Sequence, residues 1–366
     1  MFSYVSEIDW TECPPRRAGV DAAALERVLE LVRARGAVAQ LCVLRDGQVV
    51  LDRRFGCRAD ALFWVFSVSK PFVALLVHLL AERGELALDD PVAACWPAYA
   101  RDGKDAITIR HVLTHRAGVP VSSRSLLGDA MAMTSWDRAV RQAESARPRW
   151  PAGQVPAYHT LSYGFILGEL LRRVTGAGVP GLLAAEFTGP LRLNDIHLGL
   201  PAALWSRRVP LAASSPREQA RRAVFNRRRT RQAVIPAAGI SATARDLALF
   251  YQMLLGGGRL GGVRVLQPAT IAHATQISSD GEVDRLGRPV RYAHGFQLGG
   301  PPGHARPMGS HASPGTFGHN GSGICNTWAD PARGLAVAYL TNLVVSRQEG
   351  LHHQCQVSDA ILAACT

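Results

Sequence analysis

Strand-forming segments lie at the two ends of this 366-residue chain with a helical block between them, and that distribution restricts the fold more than any single motif does. Asp21 opens a helix with Leu25, Val28, Leu29 and Val32 at helical spacing, closed by Gly36. Residues 38–45 and 48–55 then read as strands, joined by Asp46-Gly47, a strong two-residue hairpin signal. From residue 67 to about residue 258 the patterns are helical, over 108–114, 135–146, 161–174, 181–187 and 243–255, and strands are hard to find. Strand patterns return over 292–298, 322–329 and 335–340, the last two joined across Asp330-Pro331-Ala332-Arg333-Gly334, before a final helix over about 348–364. The simplest closure is an α+β fold in which the hairpin pairs with the C-terminal strands in one antiparallel sheet, covered by the terminal helices. Residues 1–66 and 290–366 then form an α/β lobe and 67–289 a mainly helical lobe, with the cleft between them as the default site. The Gly-, Pro- and His-rich stretch 299–321 reads as a mobile loop beside that cleft.

Composition narrows the class further. Hydrophobic residues make up 47% of the chain and charged residues 19%, the balance of an ordinary globular protein. No apolar run reaches the roughly 18 residues of a membrane span, and the longest, around residues 72–81, contains His78. The first ten residues lack a basic start followed by an apolar core, so a cytoplasmic address is expected. Seven scattered cysteines, Cys13, Cys42, Cys57, Cys95, Cys325, Cys355 and Cys365, form no Cys-x-x-Cys pair, which argues against a disulfide framework and a zinc ribbon. The formal net charge of +12 comes almost wholly from dispersed arginine. Only Arg221, Arg222, Arg227, Arg228, Arg229 and Arg231 cluster, with the spacing of a solvated helix face or loop and only Phe225 interleaved, so no nucleic-acid partner is expected.

Ser67-Val68-Ser69-Lys70 carries the chemical signal. Only two of the 41 basic residues are lysines, and one stands three residues after a serine at the mouth of the apolar helix that follows. Residues three apart share a helix face, so the Ser67 hydroxyl and the Lys70 amine can meet. Arginine could not serve there, because a guanidinium keeps its proton, whereas a buried lysine can lose one. The bland alternative is an N-cap serine with a snorkelling lysine. Two further stretches favour the chemical reading. Tyr158-His159-Thr160 precedes the helix over 161–174 and can project a tyrosine into a cleft, and His319-Asn320-Gly321-Ser322 opens the penultimate strand with small residues that permit close backbone approach.

This ordered set resembles the serine β-lactamase and penicillin-binding-protein superfamily, in the branch of class C β-lactamases, family VIII carboxylesterases and the lovastatin-type acyltransferase. Ser67 to Lys70 matches Ser-x-x-Lys; Tyr158, His159 and Thr160 fall on the Tyr-x-Asn element; His319, Asn320 and Gly321 fall on Lys-Thr-Gly in the His-x-Gly form of esterase-like members. The segments 107–118, 239–247 and 328–335 also resemble the family, so the likeness runs from about residue 20 to the end. It implies a β-lactamase/transpeptidase-like fold in which Ser67 forms an acyl-enzyme and Lys70 and Tyr158 share the general-base work, the tyrosine lowered by a nearby cation. It also implies an oxyanion hole made by the backbone amides of Ser67 and Ser322, with Thr160, His319, Asn320 and Gly321 at the substrate.

Two departures from the family pattern shape the expected substrate. Thr160 offers fewer donors and acceptors than asparagine to an acylamino group. His319 replaces a permanent cation, so a carboxylate anchor there becomes weak and pH dependent near about pH 6.5. Ester or thioester small molecules therefore fit better than penicillins or cell-wall peptides, with no metal or organic cofactor and no membrane partner. A transacylase that passes the acyl group to an amine or alcohol acceptor, and an acylated sensor that never turns over, are the competing readings. His111 and His115 lie four apart on a predicted helix but lack the glutamate of His-Glu-x-x-His, so structural roles are expected. No Gly-x-Ser-x-Gly elbow occurs in the chain.

Overall fold

The computed structural model describes residues 9–123, 126–285, 287, 289–300 and 307–365. Helix α1 (Ala22–Ala34) is capped by Asp21, whose carboxylate accepts from the amides of Ala23 and Ala24. The hairpin follows as β1 (Ala39–Arg45) and β2 (Gln48–Phe55), with Asp46 and Gly47 both at positive φ, as a tight primed turn requires. Strand β3 (Phe63–Trp64) leads through a 3-10 turn (Phe66–Ser69) into α2 (Lys70–Glu82). The middle of the chain contributes α3 (Ile109–Leu113), α4 (Trp136–Ser145), α5 (Ser162–Thr175), β4 (Ile196–Leu198), α6 (Pro216–Phe225), β5 (Ile240–Ala242) and α7 (Ala244–Leu255). The return path is β6 (Ser279–Val283), β7 (Pro289–Tyr292), β8 (Gln297–Leu298), β9 (Phe317–Gly321), β10 (Cys325–Asp330), β11 (Leu335–Thr341) and α8 (Arg347–Ala364).

The two ends of the chain close on each other as the pattern predicts. β1 pairs with β11 in antiparallel register from Ala39 opposite Thr341 to Arg45 opposite Leu335, and the eight-stranded sheet runs β2-β1-β11-β10-β9-β8-β7-β6. Alternate residues of β1 face opposite sides. Leu41 and Val43 pack with Tyr339 under α1 and α8, whereas Cys42 and Leu44 pack with Ala336 and Ala338 under α7 and the helical block. Both faces are covered, so β1 and β11 are buried along nearly their whole length. α7 and β6 fall within the stretch 67–289, yet both belong to the sheet, α7 against β11 and β1 and β6 as the edge strand beyond β7.

Several local expectations differ. The strand expected over 292–298 is two strands around a turn in which the Ala293 amide donates to Phe296 O. His319 does not open a strand; it lies in β9, and Ser322 sits at φ +59 in the turn to β10. The helical block also holds a small antiparallel sheet, β3-β5-β4, whose strands of two or three residues are too short for a period-two pattern to register. The helix expected over 181–187 is a short α-helix (Val179–Leu183) followed by a π-turn (Ala184–Thr188). Residues 301–306 of the expected mobile loop, and residues 1–8 of the segment read for a leader, lie outside the described residues. Among the described residues no helix is long and apolar enough to cross a membrane.

Candidate active site

The edge of the small sheet delivers Ser67. The Val65 amide donates to Ile240 O at 3.0 Å, fixing β3 beside β5, and Phe66 then turns the chain sharply at φ +50. Of the two serines that follow, Ser69 is buried and committed: its hydroxyl donates to Phe66 O at 2.7 Å and accepts from the Ile240 amide at 3.1 Å. Ser67 stays half-buried. Lys70 starts α2 with Pro71 after it, where a missing amide costs no helical bond. Every residue from Lys70 to Leu80 is buried, because α2 runs through the core against α5.

Lys70 has no solvent exposure, and its Nζ donates to Thr160 O at 2.8 Å and to Ala237 O at 3.3 Å while standing 3.5 Å from Ser67 Oγ. Burial alone pushes its amine well below the ordinary lysine range. A neutral amine suits this cage: two N–H bonds reach the carbonyls and the lone pair is left toward the serine hydroxyl. Lys104, the other lysine, is held differently, with Nζ donating to Arg101 O, Glu144 O and Ala146 O, three acceptors for the three hydrogens of an ammonium. The Ala237 carbonyl reaches Lys70 because residue 164 of α5 is glycine; a Cβ there would collide with the Ala237 amide.

Tyr158 stands on the other side of the serine. Its ring centroid is 4.6 Å from Lys70 Nζ, and its hydroxyl bonds Ser67. That bond pulls the phenol down, but burial outweighs it and the net shift is upward. The expectation that a neighbouring cation lowers Tyr158 is therefore outweighed: the Arg347 charge pulls the phenol down, but burial is the larger effect. Tyr158 is kept in place by His115, whose ring packs 4.8 Å from it and whose Nδ1 accepts from the His159 amide at 3.2 Å. His115 itself adopts φ +61 and also touches Tyr163 and Tyr292. His111, by contrast, caps α3, its Nδ1 accepting from the Thr108 amide, so the two histidines do not act as a pair.

The end of β9 forms the third wall. His319 is buried with its ring 6.1 Å from Tyr158, and burial depresses its pKa to about 3. It is a neutral side chain, not an anchor that titrates near pH 6.5. Gly321 lies so close to β3 that a Cβ would strike Val65 O, and this contact brings the Ser322 turn beside Ser67. Among the described residues, neither the Ser67 nor the Ser322 amide donates within the surrounding turns. Thr160 contributes its backbone carbonyl to Lys70. Asn320, expected at the substrate, is engaged in bracing the turn: its amide group donates to Gln354 of α8, and its Oδ1 accepts from Gly323 N at 3.0 Å.

The beta-lactamase family model matches residues 25–354. The chain belongs to the beta-lactamase family. It is 32% identical over 345 residues to the esterase/beta-lactamase LipL of Mycobacterium tuberculosis, covering 84% of this chain and 77% of LipL. Among solved structures, a penicillin-binding-protein homologue from Caulobacter crescentus aligns with TM-score 0.81 at 29% identity, covering 96% of this chain and 98% of that one. A family VIII carboxylesterase aligns with TM-score 0.78 at 27% identity, covering 92% and 98%.

Sequence reasoning about this beta-lactamase-family chain missed His115, the Ala237 carbonyl and Arg221. His115 was read only as one of two histidines four apart within the family-like segment 107–118, because its positive φ is a property of the folded turn. A carbonyl has no sequence signature at all. Arg221 was grouped with a solvated arginine cluster, but its Nη2 donates to Ser322 Oγ at 2.6 Å, and Arg231 of the same cluster has no solvent exposure, its guanidinium donating to Phe225 O and Val209 O.

Proposed function

We propose that the chain is a serine hydrolase that cleaves an ester or activated acyl group through an acyl-Ser67 intermediate. The observation that carries the reading is the company Ser67 keeps: Lys70 Nζ at 3.5 Å, buried and without a carboxylate partner among the described residues, and the Tyr158 hydroxyl. Lys70 takes the hydroxyl proton as Ser67 Oγ bonds to the acyl carbon, and the carbonyl electron pair moves onto its oxygen, facing the amides of Ser67 and Ser322. Collapse breaks the bond to the leaving oxygen, which takes the Tyr158 proton; Tyr158 regains one from the Lys70 ammonium. Water repeats the sequence on the acyl-enzyme. A phenol whose pKa is raised suits this donor role better than the role of first base.

A neutral His319 and the small Thr160 support an ester or thioester over a substrate recognised through a carboxylate beside a permanent cation. The names of LipL, an esterase/beta-lactamase, and of the family VIII carboxylesterase point the same way. Intact-mass labelling with a fluorophosphonate tests the reading: the wild type gains one adduct on Ser67, Ser67→Ala gains none, and Lys70→Ala labels slowly. Steady release of p-nitrophenol from short-chain esters is expected, with free acid as product. A single stoichiometric burst would favour the sensor, and acyl transfer to an added amine or alcohol in preference to water would favour the transacylase.

A further inference from the structure

Helix α6 touches both halves of the proposed oxyanion pair. Arg221 and Phe225 are four residues apart and so share one face of it. Phe225 packs edge-on against Phe66, with ring centroids 5.1 Å apart, and lies 6.2 Å from Trp64. Phe66 is the residue that turns the chain into Ser67. Arg221 Nη2 donates to Ser322 Oγ at 2.6 Å while its Nη1 donates to Glu218 Oε2 at 2.9 Å, one helical turn back. Glu218 is buried, so the guanidinium is aimed from behind rather than free to swing.

The two residues that α6 contacts share a conformational property. Phe66 at φ +50 and Ser322 at φ +59 both occupy the left-handed region, which costs a non-glycine residue about 1 kcal/mol or more. Neither dihedral holds itself, and each orients an amide: Phe66 sets the peptide that carries the Ser67 N–H, and Ser322 carries its own. The turn after β9 has further restraints, among them the Ile324 amide on Gly321 O at 2.9 Å, the Asn320 side chain on the Gly323 amide, the Gly321 contact with Val65 and the close approach of Gly323 to Gly350, but these act on residues flanking Ser322. Among the described residues, Arg221 supplies the side-chain hydrogen bond made to Ser322 itself.

We propose that α6 is a clamp on the oxyanion hole, with Arg221 and Phe225 as positioning residues that hold the Ser322 and Ser67 amides at the separation the tetrahedral intermediate needs. The inference rests on the acyl-Ser67 reading above. A clamp of this kind acts on the transition state, in which the oxyanion is fully charged, more than on the bound ester. Arg221→Met, which loosens one oxyanion donor without removing it, is expected to lower kcat about 10-fold to 100-fold with KM nearly unchanged, less than the roughly 10²-fold to 10³-fold for losing the donor outright. Arg221→Lys, which keeps one donor but loses the fork that also holds Glu218, recovers part of the loss.

The test is a cycle of Arg221→Met, Ser322→Ala and the double variant, measured on a p-nitrophenyl ester. Affinity for a boronic acid, whose tetrahedral adduct on Ser67 mimics the intermediate, is read alongside. The clamp predicts that the double variant is no worse than either single variant, because both remove the same contact. It also predicts that boronate affinity falls by the same factor as kcat. Additive losses, or a rise in KM with kcat intact, would overturn it. If Arg221→Met loosens the fold, seen as a lower unfolding midpoint, Ser322→Ala removes only a hydroxyl and carries the same prediction. Failure of the wild type to take a fluorophosphonate on Ser67 would instead defeat the reading beneath the clamp.

Discussion

A lysine with no solvent exposure and no carboxylate beside it costs the fold stability, and among the described residues Lys70 is in that position. In the unfolded chain its amine titrates at the ordinary value of 10.5; in the folded chain burial moves it well below. Between those two values the unfolded chain binds the extra proton, so this residue makes stability rise with pH across the window and depresses it as pH falls toward the folded value. Lys70→Met should therefore raise the thermal unfolding midpoint at neutral pH while lowering ester turnover by about 10²-fold to 10⁴-fold, the range for a lost general base. Differential scanning calorimetry and a p-nitrophenyl ester assay on the same preparation check both halves. A second prediction concerns His319. Because its pKa is depressed to about 3, it stays neutral through the physiological range, and kcat/KM should show no inflection near 6.5 that disappears in His319→Gln.

At the scale of elements, the site depends on how closely β9 approaches β3. Gly321→Ala places a methyl against the Val65 carbonyl, so the two strands must separate and the Ser322 amide moves away from Ser67. The expected result is a loss of kcat of about 10²-fold or more, comparable to losing one oxyanion donor, with a stability cost of about 1–3 kcal/mol from overpacking. Kinetics and urea denaturation together check it. What the sequence revealed here was chemistry written in side chains. Ser67, Lys70 and Tyr158 could be picked out as candidates because residue types in ordered motifs are visible, and the α1 cap, the β1–β2 hairpin and α2 because their signals are local. The rest lay in the backbone: the carbonyls of Thr160 and Ala237 that hold Lys70, the positive φ of Phe66, His115 and Ser322, and strands of two or three residues paired across long separations. The bracing contacts of Asn320 were hidden for a related reason. Strand alternation places it on the face opposite His319, and that assignment requires knowing the strand's partners.

At the scale of the molecule, one sheet separates two cores of different purpose. The face under α1 and α8 ties the chain ends together, and the opposite face, under α7 and the helical block, adjoins the elements that carry Ser67 and Lys70. Leu41 belongs to the first face and has no solvent exposure. Leu41→Ala should cost about 2–5 kcal/mol by leaving a cavity, while kcat and KM of the folded enzyme stay near the wild type; denaturant unfolding and initial rates below the midpoint test the separation. The scarcity of lysine makes the central claim directly measurable. With only Lys70 and Lys104 in the chain, an NMR titration of the ¹⁵N-labelled lysine side chains should give two resolvable Nζ signals, assigned with Lys70→Arg. The account predicts that Lys70 shows the chemical shift of a neutral amine at neutral pH. A Lys70 signal that stays cationic until the pH approaches 10.5 would contradict it.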